Sequence, residues 1–255
     1  MNISLIQVFG ALLTIGVRLT GLMLFAPFFG SVAISSRVKA VLVLALTALL
    51  YPATSTKIPT MSISEWPMMV FGELLIGIAL GIATNIVFDG VQMAGQILSV
   101  QMGYSLVNIL DPQTQVESTV VATFHQMIVM LIFLRLNVHV WMLAALERSF
   151  DYLPPASGHF DAAFASSVMQ AGAGVFAIGV QIAAPVLSAT LLADVALGLL
   201  GKASPQLPLM LLGPAVKSIL GLLILISALK YWPDIFEHLF LSSMALTDRL
   251  LHLAR

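Results

Sequence analysis

The sequence predicts an all-α, polytopic integral membrane protein of about six hydrophobic helical units. Composition is the first reason: 59% of the 255 residues are hydrophobic and 9% are charged, whereas about 25% of the residues in a water-soluble domain are charged. So much apolar surface must face lipid or other apolar helices, because water solvates it poorly. Pattern is the second reason, since the apolar residues form long runs rather than the ~10-residue alternating segments of a membrane β-barrel.

Charge-free stretches mark the candidate helices in chain order. They cover residues 1–17, 19–36, 40–56, 74–88, 90–110, 118–134, 162–193 and 218–229. Few of them reach the ~20 apolar residues that a membrane-spanning helix requires. The apolar segments are interrupted by ionisable residues and prolines, namely Arg18, Glu73, Asp194, Lys217, Pro27, Pro185 and Pro214. We therefore expect helices that are broken, short or buried in protein.

Polar clusters between the apolar runs divide the chain into helical hairpins. We place a hydrophobic domain at residues 1–232, with hairpins at roughly 1–60, 61–117, 118–160 and 161–232, and a C-terminal amphipathic helix at 233–255. In this last segment one helical face carries recurring apolar residues, namely Phe236, Leu239, Phe240, Met244 and Leu251. Such a helix is predicted to lie on a membrane surface or a partner. Residues 1–17 lack the basic start of a signal peptide, so we expect a retained first span.

Charge and motif content argue against several classes of function. The 11 basic and 12 acidic residues form no basic stripe that would neutralise phosphates, so we expect no nucleic-acid partner. The chain has no cysteine, which excludes disulfides and thiolate metal sites. The histidines show no metal-ligand spacing, and neither a nucleotide-binding loop nor a serine nucleophile elbow is present. We therefore expect no catalytic site, no metal and no cofactor.

One predicted helix face carries a carboxylate and two glycines. Glu73, Gly77, Gly81 and Asn85 follow one another at intervals of four residues. Glycines four apart let helix backbones approach closely in a membrane. An acid at membrane depth costs several kcal/mol unless it is paired or hydrated, so Glu73 needs a cation or a water-filled neighbour. Arg18 is the first candidate partner, and a structural ion pair is favoured over a proton or ion relay.

A second polar stripe leads into a turn. Asp89, Gln92, Gln96 and Ser99 lie at i, i+3, i+7 and i+10, a spacing that suits either a wet path or hydrogen bonds to a neighbouring helix. Within residues 102–112 the helix must end, because an aspartate before a proline favours extended or turn backbone. Irregular backbone at membrane depth must be buried in protein or face a water-filled cavity, so this stretch is either a surface loop or an inner loop near a passage.

Short motifs in a specific order then resemble a known family. They are Ala26-Pro27 before Arg37-Val38-Lys39, Phe71-Gly72-Glu73-Leu74-Leu75-Ile76-Gly77, Val91-Gln92 with Ala94-Gly95-Gln96, Gln101-Met102-Gly103 and Asp111-Pro112-Gln113-Thr114, followed by Gly198, Pro205-Gln206-Leu207 and Lys217 with Gly221-Leu222-Leu223. Together they resemble the FliR family, the R subunit of the flagellar type III export gate, which is related to the T subunit of the virulence injectisome. The resemblance spans nearly the whole chain.

The chain departs from the family pattern at a few positions. Gln115 stands where family members commonly have glycine, so the turn there is expected to be less tight. The stretches 207–210 and 213–217 also differ from the family, which affects the subunit contacts expected of this region. The motifs leave both a flagellar and an injectisome gate open, and the Asp-Pro-Gln-Thr run favours the flagellar one.

The resemblance implies a non-enzymatic subunit of a closed gate in the bacterial inner membrane, at the flagellar basal body. Its partners would be several P and Q subunits, other membrane export-apparatus proteins and the unfolded polypeptides that are secreted. The loop matching residues 104–113 would plug the pore, because an apolar constriction excludes water and ions. The plug and seal residues are Met102, Gly103, Tyr104, Leu106, Val107, Asn108, Ile109, Leu110, Asp111, Pro112 and Gln113.

The remaining singled-out residues are assigned to assembly and packing. Arg18, Glu73, Asp194 and Lys217 are expected to be buried ionisable residues used in assembly, and Gly77 and Gly81 are expected to pack helices. The alternative function is a small-solute permease or secondary transporter, because broken helices with charges near the midplane also describe transporters. A membrane-embedded enzyme ranks third, since Glu73, Asp89 or His125 would have to converge on one site.

Overall fold

The computed structural model of the protein describes residues 5–27, 29–30, 34–55, 63–104, 120–155, 157–158, 160–206 and 208–254. Eight α-helices account for most of these residues. They are α1 (Leu5–Phe25), α2 (Ser36–Thr54), α3 (Trp66–Gln101), α4 (Val120–Arg135), α5 (Val138–Tyr152), α6 (Ala162–Ala203), α7 (Leu209–Ala228) and α8 (Trp232–Leu253). Short 3₁₀ turns lie at Ile63–Glu65 and Leu229–Tyr231. The described residues contain no strand, which confirms the predicted all-α class.

Several helices are long and apolar enough to cross a membrane. Within the described part of the chain there are five candidates. Four are Val8–Phe25, Ser36–Thr54, Trp66–Gln101 and Ala162–Ala203, and the fifth, Leu212–Leu253, joins α7, the 3₁₀ turn and α8. Helices α4 and α5 pass the same test together, although they bend by 63° at the break between them. Counting this pair as one span gives six, so the prediction of a polytopic membrane protein is confirmed.

Helices α3 and α6 are neither short nor broken, and of the three expected alternatives only burial in protein applies to α3, which is 56% buried over its apolar window. These helices have 36 and 42 residues, which corresponds to about 54 Å and 63 Å at 1.5 Å per residue. Glu73 lies inside α3, and Asp194 and Pro185 lie inside α6, without ending either helix. Both carboxylates have a cation within 3.0 Å on another helix, so the chain does not need to break to solvate them.

Helix α4 ends at Arg135, just after the charge-free stretch 118–134. Asn137 adopts a left-handed conformation with φ 55°, immediately before α5 begins at Val138. Asparagine tolerates this conformation better than most residues with a side chain. The polar residues that follow Leu134 thus separate two helices, and the chain changes direction there by 63°.

The contacts of the chain form two compact units. The first unit comprises Met1–Ile86, Phe133–Gly172 and Leu239–Arg255, and the second comprises Val87–Ile132 and Ala173–His238. The buried apolar residues of the first unit include Ile15, Leu19, Ile76, Leu80, Leu146, Phe150 and Leu251. Those of the second unit include Val91, Leu98, Val129, Val186, Trp232 and Phe236.

The C-terminal helix is amphipathic, and its apolar face packs within the chain. In the first unit, the ring of Phe240 lies 5.8 Å from the ring of Phe133. Leu250 and Leu251 are also buried, while Asp248 and Arg249 are exposed. The face that was expected to lie on a membrane surface or a partner is therefore covered, at these residues, by the chain itself.

Candidate functional site

A buried ion pair joins α1 to α3 in the first unit. Nε of Arg18 lies 2.6 Å from Oε2 of Glu73, and the two side chains are 0% and 1% exposed. Arg18 is therefore the partner that the sequence predicted for Glu73. Because a buried charge is stable only when it is paired and hydrogen-bonded, the remaining donors of Arg18 should also have acceptors.

The other donors of Arg18 reach the end of α5. Nη1 donates to Oγ of Ser149 at 2.8 Å, and Nη2 donates to the carbonyl oxygen of Leu153 at 3.1 Å. The guanidinium also lies 4.0 Å from the centre of the Phe150 ring, a favourable cation–π arrangement. Sequence reasoning missed these partners, which lie more than 130 residues from Arg18.

Glycines bring the backbones of α1 and α3 together beside this pair. A Cβ at Gly77 would collide with the carbonyl oxygen of Arg18 and lie 3.0 Å from Cα of Gly21. A Cβ at Gly81 would lie 2.8 Å from the carbonyl oxygen of Leu22. Side chains at these positions would push the helices apart, so both glycines are needed for this contact.

A second ion pair lies in the second unit and is partly exposed. Nζ of Lys217 on α7 lies 3.0 Å from Oδ1 of Asp194 on α6. Nε2 of Gln101, the last residue of α3, donates to Oδ2 of Asp194 at 3.1 Å. The side chains of Lys217 and Asp194 are 19% and 42% exposed. The expectation that Asp194 is buried is thus wrong for the chain alone, because residues 191–200 of α6 are largely exposed.

Helix α3 ends at a glycine rather than at a proline. Gly103 has φ +87°, its amide donates to the carbonyl of Val100, and the amide of Tyr104 donates to the carbonyl of Ser99. These two bonds with a left-handed residue form a Schellman cap, a common helix terminus. Sequence reasoning attributed the end of this helix to Asp111 before Pro112, but the cap already ends it at Gly103.

One face of α7 holds the three residues that follow α3. A Cβ at Gly103 would lie 2.9 Å from Cβ of Pro214, and a Cβ at Gly221 would lie 2.8 Å from side-chain carbons of Met102. Oγ of Ser218 donates to Oη of Tyr104 at 2.6 Å. Because Pro214, Ser218 and Gly221 are four and three residues apart, they share one face of the helix. The start of the predicted plug segment is therefore attached to α7.

The rest of the predicted plug lies outside the described residues. This applies to Leu106, Val107, Asn108, Ile109, Leu110, Asp111, Pro112 and Gln113. Among the plug and seal residues, the structure places Met102, Gly103 and Tyr104, of which Met102 is buried and the other two are half-buried. The geometry thus defines where the segment begins.

The second polar stripe contacts a neighbouring helix. Nε2 of Gln126 on α4 donates to Oε1 of Gln92 on α3 at 3.0 Å. Three residues further along α3, a Cβ at Gly95 would lie 2.8 Å from Cβ of Ala122. Of the two interpretations of the stripe, a hydrogen bond between helices is the one observed at Gln92.

His125 is part of the packing between α4 and α8 in the second unit. Its side chain is buried, its Nδ1 lies 2.7 Å from the carbonyl oxygen of Val121, and its ring centre lies 5.0 Å from that of Trp232. Across the ranges that the structure describes, no group of three His, Cys, Asp or Glu side chains could hold a metal ion.

The chain is similar to known bacterial export proteins. Residues 9–243 match the family described as bacterial export proteins, family 1. The flagellar biosynthetic protein FliR of Pectobacterium carotovorum subsp. carotovorum is 31% identical over 227 residues, which are 88% of this chain and 86% of the relative. The protein of the same name from Bacillus subtilis (strain 168) is 31% identical over 229 residues, 88% of this chain and 87% of the relative.

A secretion-system protein is also related. The secretion system apparatus protein SsaT of Salmonella typhimurium is 28% identical over 168 residues, which cover 66% of this chain and 65% of the relative. The family match covers most of the chain, and the resemblance seen in the motifs is confirmed. The chain therefore belongs to the FliR family of bacterial export proteins and is a membrane-embedded component of a flagellar or type III export apparatus.

Proposed function

We propose that this protein is the R subunit of a flagellar type III export gate in the bacterial inner membrane. With P and Q subunits it forms a closed pore through which unfolded flagellar proteins leave the cell, and residues 104–113 plug that pore. The observation that carries the gate assignment is the family match over residues 9–243. The attachment of Gly103 and Tyr104 to Pro214 and Ser218 on α7 supports the plug, because it fixes the point at which the segment starts.

The residue types of residues 104–113 suit a seal. Leu106, Val107, Ile109 and Leu110 are apolar, and an apolar constriction stops ions by excluding water. An arriving polypeptide could displace such a seal, because contacts between apolar side chains are non-directional. The seal would be non-enzymatic, and we place the energy source for export in other components of the apparatus.

Exposed apolar faces support assembly with other membrane subunits. On α6, Leu192, Val195 and Leu199 are exposed, and on α7, Ile219 and Leu223 are exposed. These faces suit packing against helices of P and Q subunits. The partly exposed pair of Asp194 and Lys217 lies on the same two helices, and we assign it to subunit assembly.

Deletion of residues 106–113 tests the plug. We expect the shortened chain to co-purify with the same membrane partners, because Met102, Gly103 and Tyr104 remain attached to α7. The leak of small ions through reconstituted complexes should rise, because the apolar residues that exclude water are gone. Single-channel conductance in planar bilayers measures this leak directly.

A scrambled order of the same eight residues is the matched control. It keeps the length and the apolar composition of the segment, so we expect its conductance to stay close to that of the unaltered chain. Unchanged conductance after the deletion would discard the plug assignment. Saturable uptake of a solute by the purified single chain would favour a permease over an export gate as the function of this protein.

A further inference from the structure

An apolar groove lies in the first unit between α1, α2 and the beginning of α3. Its volume is about 680 Å³. The walls are mostly aliphatic, with residues such as Leu12, Val43 and Leu74, and they also include Thr20 and Thr47. Leu44, which also lines the groove, is 69% exposed. The groove therefore opens on a side of α2 that the described residues leave uncovered.

The length of the groove matches one half of a membrane. On α1 its wall runs from Phe9 to Thr20, which is about 16 Å at 1.5 Å per residue. The hydrocarbon core of a bilayer is ~30 Å thick, so one leaflet takes up about 15 Å. A single acyl chain that stands in one leaflet therefore has the length that the groove offers.

Two basic residues lie in the first turns of α2, before the wall residues. Lys39 is four residues before Val43, and Arg37 is seven residues before Leu44, so each shares a helix face with one wall residue. Because residues two apart on a helix point to different sides, the two side chains flank the end of the groove. The first 64 residues of the chain contain no aspartate or glutamate. Long basic side chains extend towards the membrane surface while their stems stay on apolar surface, where they attract anionic headgroups.

We propose that this groove binds one acyl chain of an anionic membrane phospholipid, with the phosphate of the headgroup at Arg37 and Lys39. An apolar helix from another protein would match the wall but would leave the two basic residues without a counter-charge. The charge at one end and the apolar wall below it match the two parts of a phospholipid. A neutral lipid would satisfy the wall alone.

Photo-cross-linking tests the site in the complex that contains the full chain. The probes are phosphatidylglycerol and phosphatidylcholine with the same photoreactive acyl chain, and mass spectrometry locates the cross-linked peptides. We expect cross-links on α1 and α2. Because each basic residue near a surface contributes about fivefold to the binding of an anionic lipid, phosphatidylglycerol should be preferred about 25-fold.

Two substitutions on α2 separate the groove from the rest of the helix. Ala48 lines the groove, whereas Ala45 is exposed on the same helix and is not part of the wall. We expect Ala48→Phe to abolish the cross-links and Ala45→Phe to leave them unchanged. The double variant Arg37→Gln/Lys39→Gln should remove the preference, so that phosphatidylglycerol and phosphatidylcholine label the chain equally. The acyl chain should still form its cross-links.

Three results would overturn the lipid site. The first is equal labelling of the unaltered chain by both lipids, and the second is equal loss of labelling in Ala45→Phe and Ala48→Phe. The third comes from a photoreactive side chain placed at Leu44: if it captures a polypeptide in place of lipid, a protein helix occupies the groove. Conductance plays no part in these readouts, so they are independent of the plug.

Discussion

Two ion pairs of the described chain differ in how far their side chains are buried. In the first unit, Arg18 and Glu73 are completely buried, and Arg18 is further satisfied by Ser149, the Leu153 carbonyl and the Phe150 ring. In the second unit, Lys217 and Asp194 are partly exposed, and Gln101 shares the carboxylate. The first pair is completed within one chain, whereas the second still presents polar surface. We infer that the first serves folding and that the second is available to other subunits.

Glycines show the same contrast. Gly77 on α3 lies against the backbone of α1, where a Cβ would collide with the carbonyl oxygen of Arg18. Among the residues that the structure describes, nothing lies within 4 Å of a Cβ placed at Gly174 on α6. The first half of α3 is thus packed within this chain, while this part of α6 is free to accept a neighbour.

The largest effect is expected when the buried pair loses one partner. Arg18→Met leaves the carboxylate of Glu73 buried without its cation, and breaking a buried pair in this way costs about 3–5 kcal/mol. We expect the variant to accumulate poorly in membranes. Quantitative blotting of membrane fractions and the thermal unfolding midpoint of the purified complex measure the loss.

The double variant Arg18→Met/Glu73→Leu is the control for this prediction. Replacing both charges with apolar side chains leaves no unpaired ion, and such replacements are often neutral. Accumulation should therefore recover most of the way. If the double variant accumulates as poorly as the single one, the pair contributes more than charge neutralisation, and its assignment to folding through pairing is wrong.

A smaller loss is expected from Gly77→Ala. The added methyl group would force α1 and α3 apart beside the buried pair, and overpacking of this kind costs about 1–3 kcal/mol. The thermal unfolding midpoint should fall. Gly174→Ala is the matched control, because it adds the same methyl group in open space. It should stabilise the helix by about 0.5–1 kcal/mol, since alanine loses less conformational entropy than glycine on folding. Equal destabilisation by both would show that α6 is already covered at Gly174.

How far the sequence predicts this structure depends on whether the signal is local. The membrane class follows from composition, and the pairing of Glu73 with Arg18 follows because a buried acid needs a cation and cations are few. The contacts of Arg18 with Ser149 and the Leu153 carbonyl could not be predicted, because serines and backbone carbonyls are too common in the sequence to single out one partner. Only the fold brings these two groups to α1.

The helix ends show the same limit. Glu73 and Asp194 suggested breaks in α3 and α6, but their partners on other helices make the charges tolerable inside continuous helices. The end of α3 carried a local signal that was passed over in favour of Pro112. A glycine after a long apolar helix is the usual residue of a Schellman cap, and Gly103 occupies that place.

The smallest effect on stability is expected at the exposed pair. Asp194→Asn keeps the size of the side chain and removes its charge, and surface ion pairs contribute about 0–1 kcal/mol. The thermal unfolding midpoint of the purified chain should therefore barely change, in contrast to Arg18→Met.

If the pair is used by other subunits, the amount of P and Q subunits that co-purifies should fall, and swimming in soft agar should be reduced. Lys217→Met should act in the same direction, because it removes the other half of the pair. Normal co-purification and swimming in both variants would show that this pair, like the buried one, acts only within its own chain.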